Sequence, residues 1–163
     1  SCVMATGKPK IGARPSHPAQ VIGWKEVVHF PEWGIRSLLA KADTGARGSA
    51  LDVDSIARLP GDRVAFSVVL DRRDRSGGKK VEADIVRSQR IRSSNGVVQE
   101  RILVETEIGI GGTRNRVRLS LVNRKPMICR VLLGRHALAG VFLVDASRKY
   151  VHGPRRKARA GDR

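Results

Sequence analysis

Apolar and polar residues alternate with a period of two along most of this chain, which is the signature of half-buried strands rather than helices. Val21 to Phe30 reads as a strand ended by Pro31, and Ile35 to Asp43 as a second, with Gly34 punctuating the turn between them. In the second run Leu38, Leu39, Ala40 and Ala42 place apolar groups on both faces, so this strand is expected at the centre of a sheet. Arg63 to Leu70 and Lys79 to Arg87 flank a polar stretch from Asp71 to Gly78, the pattern of a hairpin with a long charged tip. Ile85 to Ile91 leads to Ser93-Ser-Asn-Gly96, where Asn-Gly is a strong hairpin signal. Val97 to Ile110 then alternates, and Gly111-Gly112 turns it into Arg116 to Val122. Met127 to Leu133 is an apolar strand stopped by Gly134, and Arg135 to Gly140 has room for about one and a half helical turns. Val141 to Val144 resumes extended structure. The expectation is an all-β domain with one short helix near its C-terminus.

Length limits that domain to one main core, since 163 residues fall within the usual size of a single unit. Only six residues are aromatic, two Trp, one Tyr and three Phe, so Val, Leu, Ile and Ala must build the interior. Residues 1–20 combine Gly, Pro, Ser and Lys without an apolar period and read as a flexible basic arm; residues 153–163 read as a basic tail. The folded unit is expected over residues 21–152. Of the net charge of +17, the arm holds +3 and the tail +4, which leaves +10 on the folded part. A body this basic attracts nucleic acid, an anionic surface or an acidic polypeptide. Cys2 and Cys129 do not form a disulfide framework, and no apolar stretch has the length of a membrane span. A cytoplasmic protein is expected, with room for an upstream segment before Ser1.

The residue most suited to chemistry is Asp43, in Ala42-Asp43-Thr44-Gly45-Ala46. A carboxylate that directly follows a largely apolar strand lies at a core boundary, where burial raises the energy of its charged form. The Thr44 hydroxyl can hydrogen-bond, and Gly45 permits a tight turn that brings a backbone amide against the carboxylate. Amide hydrolysis needs a base to activate water and an acid to protonate the leaving nitrogen. Two carboxylates about 3 Å apart share one proton and perform both tasks. The chain has one Asp-Thr-Gly, so catalysis of this kind requires a homodimer with Asp43 of each copy at the two-fold axis.

Four stretches extend the pattern beyond that tripeptide: Ile22-Gly-Trp-Lys-Glu26, Lys41-Ala-Asp-Thr-Gly-Ala-Arg47 with Ser49-Ala-Leu51, Arg92-Ser-Ser-Asn-Gly96, and Val131-Leu-Leu-Gly-Arg-His-Ala-Leu138 followed by Phe142-Leu-Val-Asp145. In these the chain resembles the retropepsin-like aspartic proteases. It is more closely similar to the bacterial family called ATP-dependent zinc protease and associated with RimK-type glutamate ligases. The resemblance implies a closed acid-protease barrel with one short C-terminal helix, and an active site shared between two chains. It implies that Asp43 is the catalytic carboxylate, supported by Thr44, Gly45 and Ala46, and that Gly134, Arg135 and Leu138 pack beneath the loop. The tip from Arg72 to Gly78 is the candidate flap, with the hairpin around Asn95 as the alternative cover. Arg47, Arg72, Arg73, Arg75, Gly77 and Gly78 are then substrate-binding or structural residues. The viral enzymes usually carry an acid where this chain has Arg47, which leaves Arg135 to find another partner, with Asp52 and Asp54 as candidates.

His17, His29, His136 and His152 form no HExxH or other close-ligand spacing, and no glycine-rich run ends in Gly-Lys-Ser/Thr. No metal and no cofactor are expected, and any ATP requirement falls to a partner, an ATP-dependent glutamate ligase. Taken together, the expected function is a dimeric aspartic endopeptidase or peptide-trimming hydrolase acting on acidic or glutamylated polypeptides. The alternative is a non-catalytic retropepsin-fold module that binds acidic peptide, RNA or the ribosome. Nucleic acid has only charge in its favour, because aromatic residues do not interleave with the basic ones. Cys129 is expected to be an inert core residue, and Trp24 and Trp33 to be packing anchors or dimer contacts.

Overall fold

The computed structural model describes residues 18–123 and 127–153, so the arm and tail expected at the two ends lie almost wholly outside the described residues. The chain runs through β1 (Gln20–Gly23), β2 (Lys25–Phe30), β3 (Ile35–Ala42), β4 (Ser49–Leu59), β5 (Arg63–Val68), β6 (Lys79–Asp84), β7 (Arg87–Arg92), β8 (Val98–Ile110), β9 (Thr113–Val122), β10 (Val131–Leu133), α1 (Arg135–Leu138), the single α-helix among the described residues, and β11 (Phe142–Asp145). No helix among the described residues is long and apolar enough to cross a membrane.

Six strands close into a barrel in the order β10-β3-β2-β8-β9-β4, because β10 pairs with β4 as well as with β3. The β10–β3 and β4–β9 pairings are parallel and the others antiparallel. This is the all-β architecture with one short C-terminal helix that the pattern predicts, closed into the barrel that the resemblance implies. Alternation decides which side chains fill it: Val28 and Phe30 from β2, Leu38 and Ala40 from β3, Leu51 and Val53 from β4, and Val104 and Ile108 from β8 are all buried. Each of these side chains except the small Ala40 contributes about 1.5–3 kcal/mol through burial. Trp33 packs against this interior, stacked on Phe30 at 5.2 Å and edge-on to Phe66 at 5.5 Å. Cys129 is buried, whereas Trp24 is 36% exposed.

Further strands extend the barrel wall. β5 and β6 continue from β4, β7 pairs with β8, and β1 leaves the barrel to pair in parallel with β11. The single strand expected from Val21 to Phe30 is therefore two. The break lies at Trp24, whose N–H donates to Arg148 O at 2.9 Å, and Gly23 sits so close that a Cβ there would be 2.5 Å from the same oxygen. The buried Glu26 carboxylate fixes the junction, accepting from Gly23 N–H at 2.8 Å and Val151 N–H at 2.9 Å. Only the last three residues of the Met127 to Leu133 run form a strand, since β10 needs no more than three to bridge β3 and β4.

Candidate functional site: the Asp43 loop and its basic face

β3 carries the chain along the barrel wall and releases it at Asp43, whose N–H donates to Leu133 O at 2.8 Å. The turn that follows is tight. Gly45 N–H donates to Asp43 Oδ1 at 3.0 Å and Ala46 N–H to Asp43 O at 3.2 Å, which orients a half-buried carboxylate. Thr44 and Gly45 are exposed beside it.

The segment after β10 clamps this loop from below. Arg135 N–H donates to Ala46 O at 2.8 Å, His136 N–H to Arg47 O at 3.0 Å, and Gly134 N–H to the Ser49 hydroxyl at 3.0 Å. Gly134 has an ordinary φ of −87°, so glycine is needed there for space: a Cβ would stand 2.1 Å from Gly48 O. Arg135 Nη1 donates to Thr44 O at 3.0 Å, so its partner is a loop carbonyl and neither Asp52 nor Asp54. Leu138 and Ala137 on α1 are buried under the clamp, and Asn115 Nδ2 holds Ala137 O at 3.2 Å. The fold thus brings together Asp43 to Arg47, Ser49, Gly134, Arg135 and Leu138.

Asp52 is fully buried and answers two guanidiniums. Arg75 forms a two-pronged contact with it at 2.8 and 2.9 Å and also reaches Asn123 at 3.1 Å. Arg130, itself only 2% exposed, pairs with the same carboxylate and donates to Met127 O. Burial pushes the Arg130 guanidinium below its ordinary value; Asp52 opposes that, and Arg75 and Arg72 add to it. Arg75 is in this way a structural anchor that pins the Asp71–Gly78 loop to the barrel. Asp74 organises the tip, accepting from the Ser76 hydroxyl at 2.6 Å and its N–H at 3.2 Å, and these bonds hold its carboxyl below the usual range. Gly78 packs where a Cβ would be 2.7 Å from Val68 O, while Gly77 lies beside Asp74.

Arg72 and Arg73 from that tip face Lys25, Leu39 and Arg130 across a cleft of about 270 Å³. Lys25 and Lys41 are directly opposite in the β2–β3 ladder, and Leu39, Lys41 and Asp43 follow at alternate positions, hence on one face. Leu39, in the cleft lining, is four residues back along the chain from Asp43, and Lys25, also in the lining, pairs with Lys41.

Ion pairs engage only part of the basic surface. Glu32, Glu105 and Glu107 are engaged by Arg114, Arg116 and Arg118, Glu100 by Arg58, and Asp84 by Arg63. Among the described residues, Lys25, Lys41, Arg47, Arg72 and Arg73 enter no ion pair. Sequence assigns no role to Lys25, Lys41, Ser49 or Arg130, although the first three lie within the stretches that carry the resemblance. Two lysines interrupting apolar strands are the only local signal for the first pair, and their juxtaposition depends on strand register. No three His, Cys, Asp or Glu side chains converge as metal ligands would, among the described residues.

A closed barrel whose Asp-Thr-Gly loop is clamped from beneath by a Gly-Arg segment is retropepsin-like. The chain belongs to the RimB-like family, described as the retropepsin-like aspartic endopeptidase RimB, whose profile matches residues 21–155. A crystal structure of Lpg0085, a Legionella pneumophila protein of unknown function, shares the fold with a TM-score of 0.67 and 23% identity, covering 82% of this chain and 98% of that one. A probable alpha-L-glutamate ligase of Shewanella halifaxensis is 32% identical over 82% of this chain, and one of Parasynechococcus marenigrum 29% identical over 77%. The chain spans 30% and 28% of those two proteins.

These relatives correct the functional expectation. The chain was expected to be an aspartic-type peptidase, a hydrolase cleaving acidic polypeptides, but four relatives at 29 to 33% identity all carry the ligase name. Family architecture and the Asp-Thr-Gly tripeptide do not by themselves specify hydrolysis, since one loop supplies one carboxylate where bond cleavage needs an acid and a base. A non-catalytic module read apart from any ligase falls with the same finding.

Proposed function

We propose that this chain is a retropepsin-like module of an α-L-glutamate ligase system, and that it holds the glutamate-rich polypeptide on which the ligase works. The observation that carries this reading is the strip of unpaired cations leading to the Asp43 loop, with Lys25 opposite Lys41 and Arg47 exposed just beyond the turn. Glu32, Glu105 and Glu107 are already engaged by arginines, whereas, among the described residues, the cations of the strip enter no ion pair and remain available to an anion. An extended polypeptide rich in glutamate has one carboxylate per residue to offer such a strip, and long-range attraction favours its capture. Asp43 is the acceptor at the end of the strip, suited to a backbone N–H or an ammonium group and repellent to another carboxylate. The ligase names of the curated relatives supply the reaction that produces such a polypeptide.

Fluorescence anisotropy with labelled oligoglutamate, oligolysine and a neutral peptide of equal length tests this. Oligoglutamate is expected to bind at least about tenfold more tightly than either, and Lys41→Glu with Arg47→Glu to abolish the preference. In a ligation assay with an α-L-glutamate ligase, the wild-type chain is expected to shift the length distribution of the product and the double variant to leave it unchanged. Equal affinity for all three peptides, or an unchanged distribution with wild type, overturns the reading.

A further inference from the structure

The cleft beside the Asp71–Gly78 loop has a composition that a general basic strip does not require. Its volume, about 270 Å³, falls just below the range of about 300–1,000 Å³ common for drug-sized ligands, which suits one side chain better than a cofactor. Arg72, Arg73 and Lys25 stand around its mouth and Arg130 at its buried end. Asp71 is the one acid in the lining, and its Oδ1 accepts from Arg73 N–H at 2.9 Å.

Arg130 is the informative member. It shares the buried carboxylate of Asp52 with Arg75, so two guanidiniums, one buried and one partly exposed, meet one negative charge. A buried cation that shares its counter-charge is costly, and Arg130 is part of the cleft lining, where an anion can offset that cost. The two-pronged Arg75–Asp52 contact also fixes the loop, so Arg72 and Arg73 are held at the mouth before anything binds. Apolar atoms of Leu39, Leu70 and Ile128 complete the walls, offering cover to a short methylene stem between backbone and charge.

We propose that this cleft is a carboxylate subsite for one glutamyl side chain, with Arg72, Arg73 and Lys25 contacting the carboxylate and Arg130, positioned by Asp52, supplying the charge at its floor. The proposal rests on the oligoglutamate reading above and names the place where a single residue of that chain is read. Guanidinium forks bind a planar carboxylate through paired N–H donors, and the apolar walls favour glutamate over a bare inorganic anion.

The test uses the full chain with labelled oligoglutamate, and compares wild type with the exposed double variant Arg72→Gln/Arg73→Gln after equal melting temperatures have been verified. The variant is expected to lose about tenfold or more in affinity, the effect of removing charge-assisted hydrogen bonds. Unlabelled glutarate is expected to displace the peptide from wild type at lower concentration than inorganic phosphate. If wild type prefers oligoglutamate and the variant stays within about twofold of it, the subsite is refuted while the broader reading stands. If wild type shows no preference, the broader reading fails first. Stronger displacement by phosphate than by glutarate overturns the carboxylate assignment.

Discussion

Replacing Gly134 by alanine tests whether the clamp beneath the Asp43 loop is as tight as its hydrogen bonds imply. The new Cβ would lie 2.1 Å from Gly48 O, 2.6 Å from Gly48 C and 2.9 Å from Ala46 O, all of them backbone atoms that cannot swing aside. Restoring ordinary contact at 3.4 Å requires the two segments to part by roughly 1.3 Å. That separation strains the bonds from Gly134 N–H to Ser49, Arg135 N–H to Ala46 and His136 N–H to Arg47. Overpacking costs about 1–3 kcal/mol and each lost bond about 0.5–1.5 kcal/mol, so a total of about 3–5 kcal/mol is expected. For a chain of this size that corresponds to a drop in Tm of about 10 °C. Urea and thermal denaturation measure it, with Gly48→Ala as the control because a Cβ there meets nothing within 4 Å. A Gly134→Ala protein within about 0.5 kcal/mol of wild type would refute the packing argument. Equal destabilisation by Gly48→Ala would refute it too.

Two other perturbations follow from the same geometry. Glu26→Ala removes the acceptor shared by Gly23 and Val151 and is expected to cost about 2–4 kcal/mol, while Glu26→Gln keeps an oxygen for both donors and changes little. Trypsin cleavage after Arg148 and Lys149 should accelerate in Glu26→Ala alone, and equal rates in all three proteins would show that this carboxylate does not hold the segment. Asp74 and Asp145 are held below their ordinary value of 3.8 by the hydroxyl and then the N–H of Ser76 and Ser147 respectively. Since the folded pKa is lower, the unfolded chain takes up protons first, and the stabilisation present above the ordinary value is lost as pH falls through the lowered one. Ser76→Ala and Ser147→Ala are therefore expected to flatten the rise of the urea midpoint with pH below about 4, and slopes identical to wild type would contradict the cause assigned.

What could be read from residues alone was whatever local chemistry dictates. Asn95-Gly96 forms the turn between β7 and β8, with Gly96 at a φ of 83°, because only a residue without Cβ enters that conformation at little cost. The doubly apolar face pattern of Leu38 to Ala42 corresponds to β3 lying between β10 and β2. β4, by contrast, is absent from the pattern-based reading, for an identifiable reason. Its sequence contains Asp52, buried by ion pairing, and Ser55 at a φ of 55°, and its register slips between Asp54 and Ala57, so the alternation changes face midway. The loss of an acid partner for Arg135 was legible, but its replacement was not, since a backbone carbonyl leaves no trace in sequence. Arg75 reads as one more arginine on a charged tip until the fold brings Asp52 within 2.8 Å of it. Asp43 needed only its motif to be noticed, whereas the basic strip beside it depends on a cross-strand register that no local pattern encodes.

β10 is three residues long and arrives late, yet it is the stave that joins β3 to β4. During synthesis the first nine strands emerge with a gap in the wall, and the turn after β3 has nothing to rest on until Leu133 and Gly134 leave the ribosome. Ordering of that turn is therefore a terminal event in folding, dependent on contacts of high sequence separation, which form slowly. A ribosome-stalled chain ending at residue 130 should expose the Asp43 segment to proteolysis, and one extended past Leu138 should shield it.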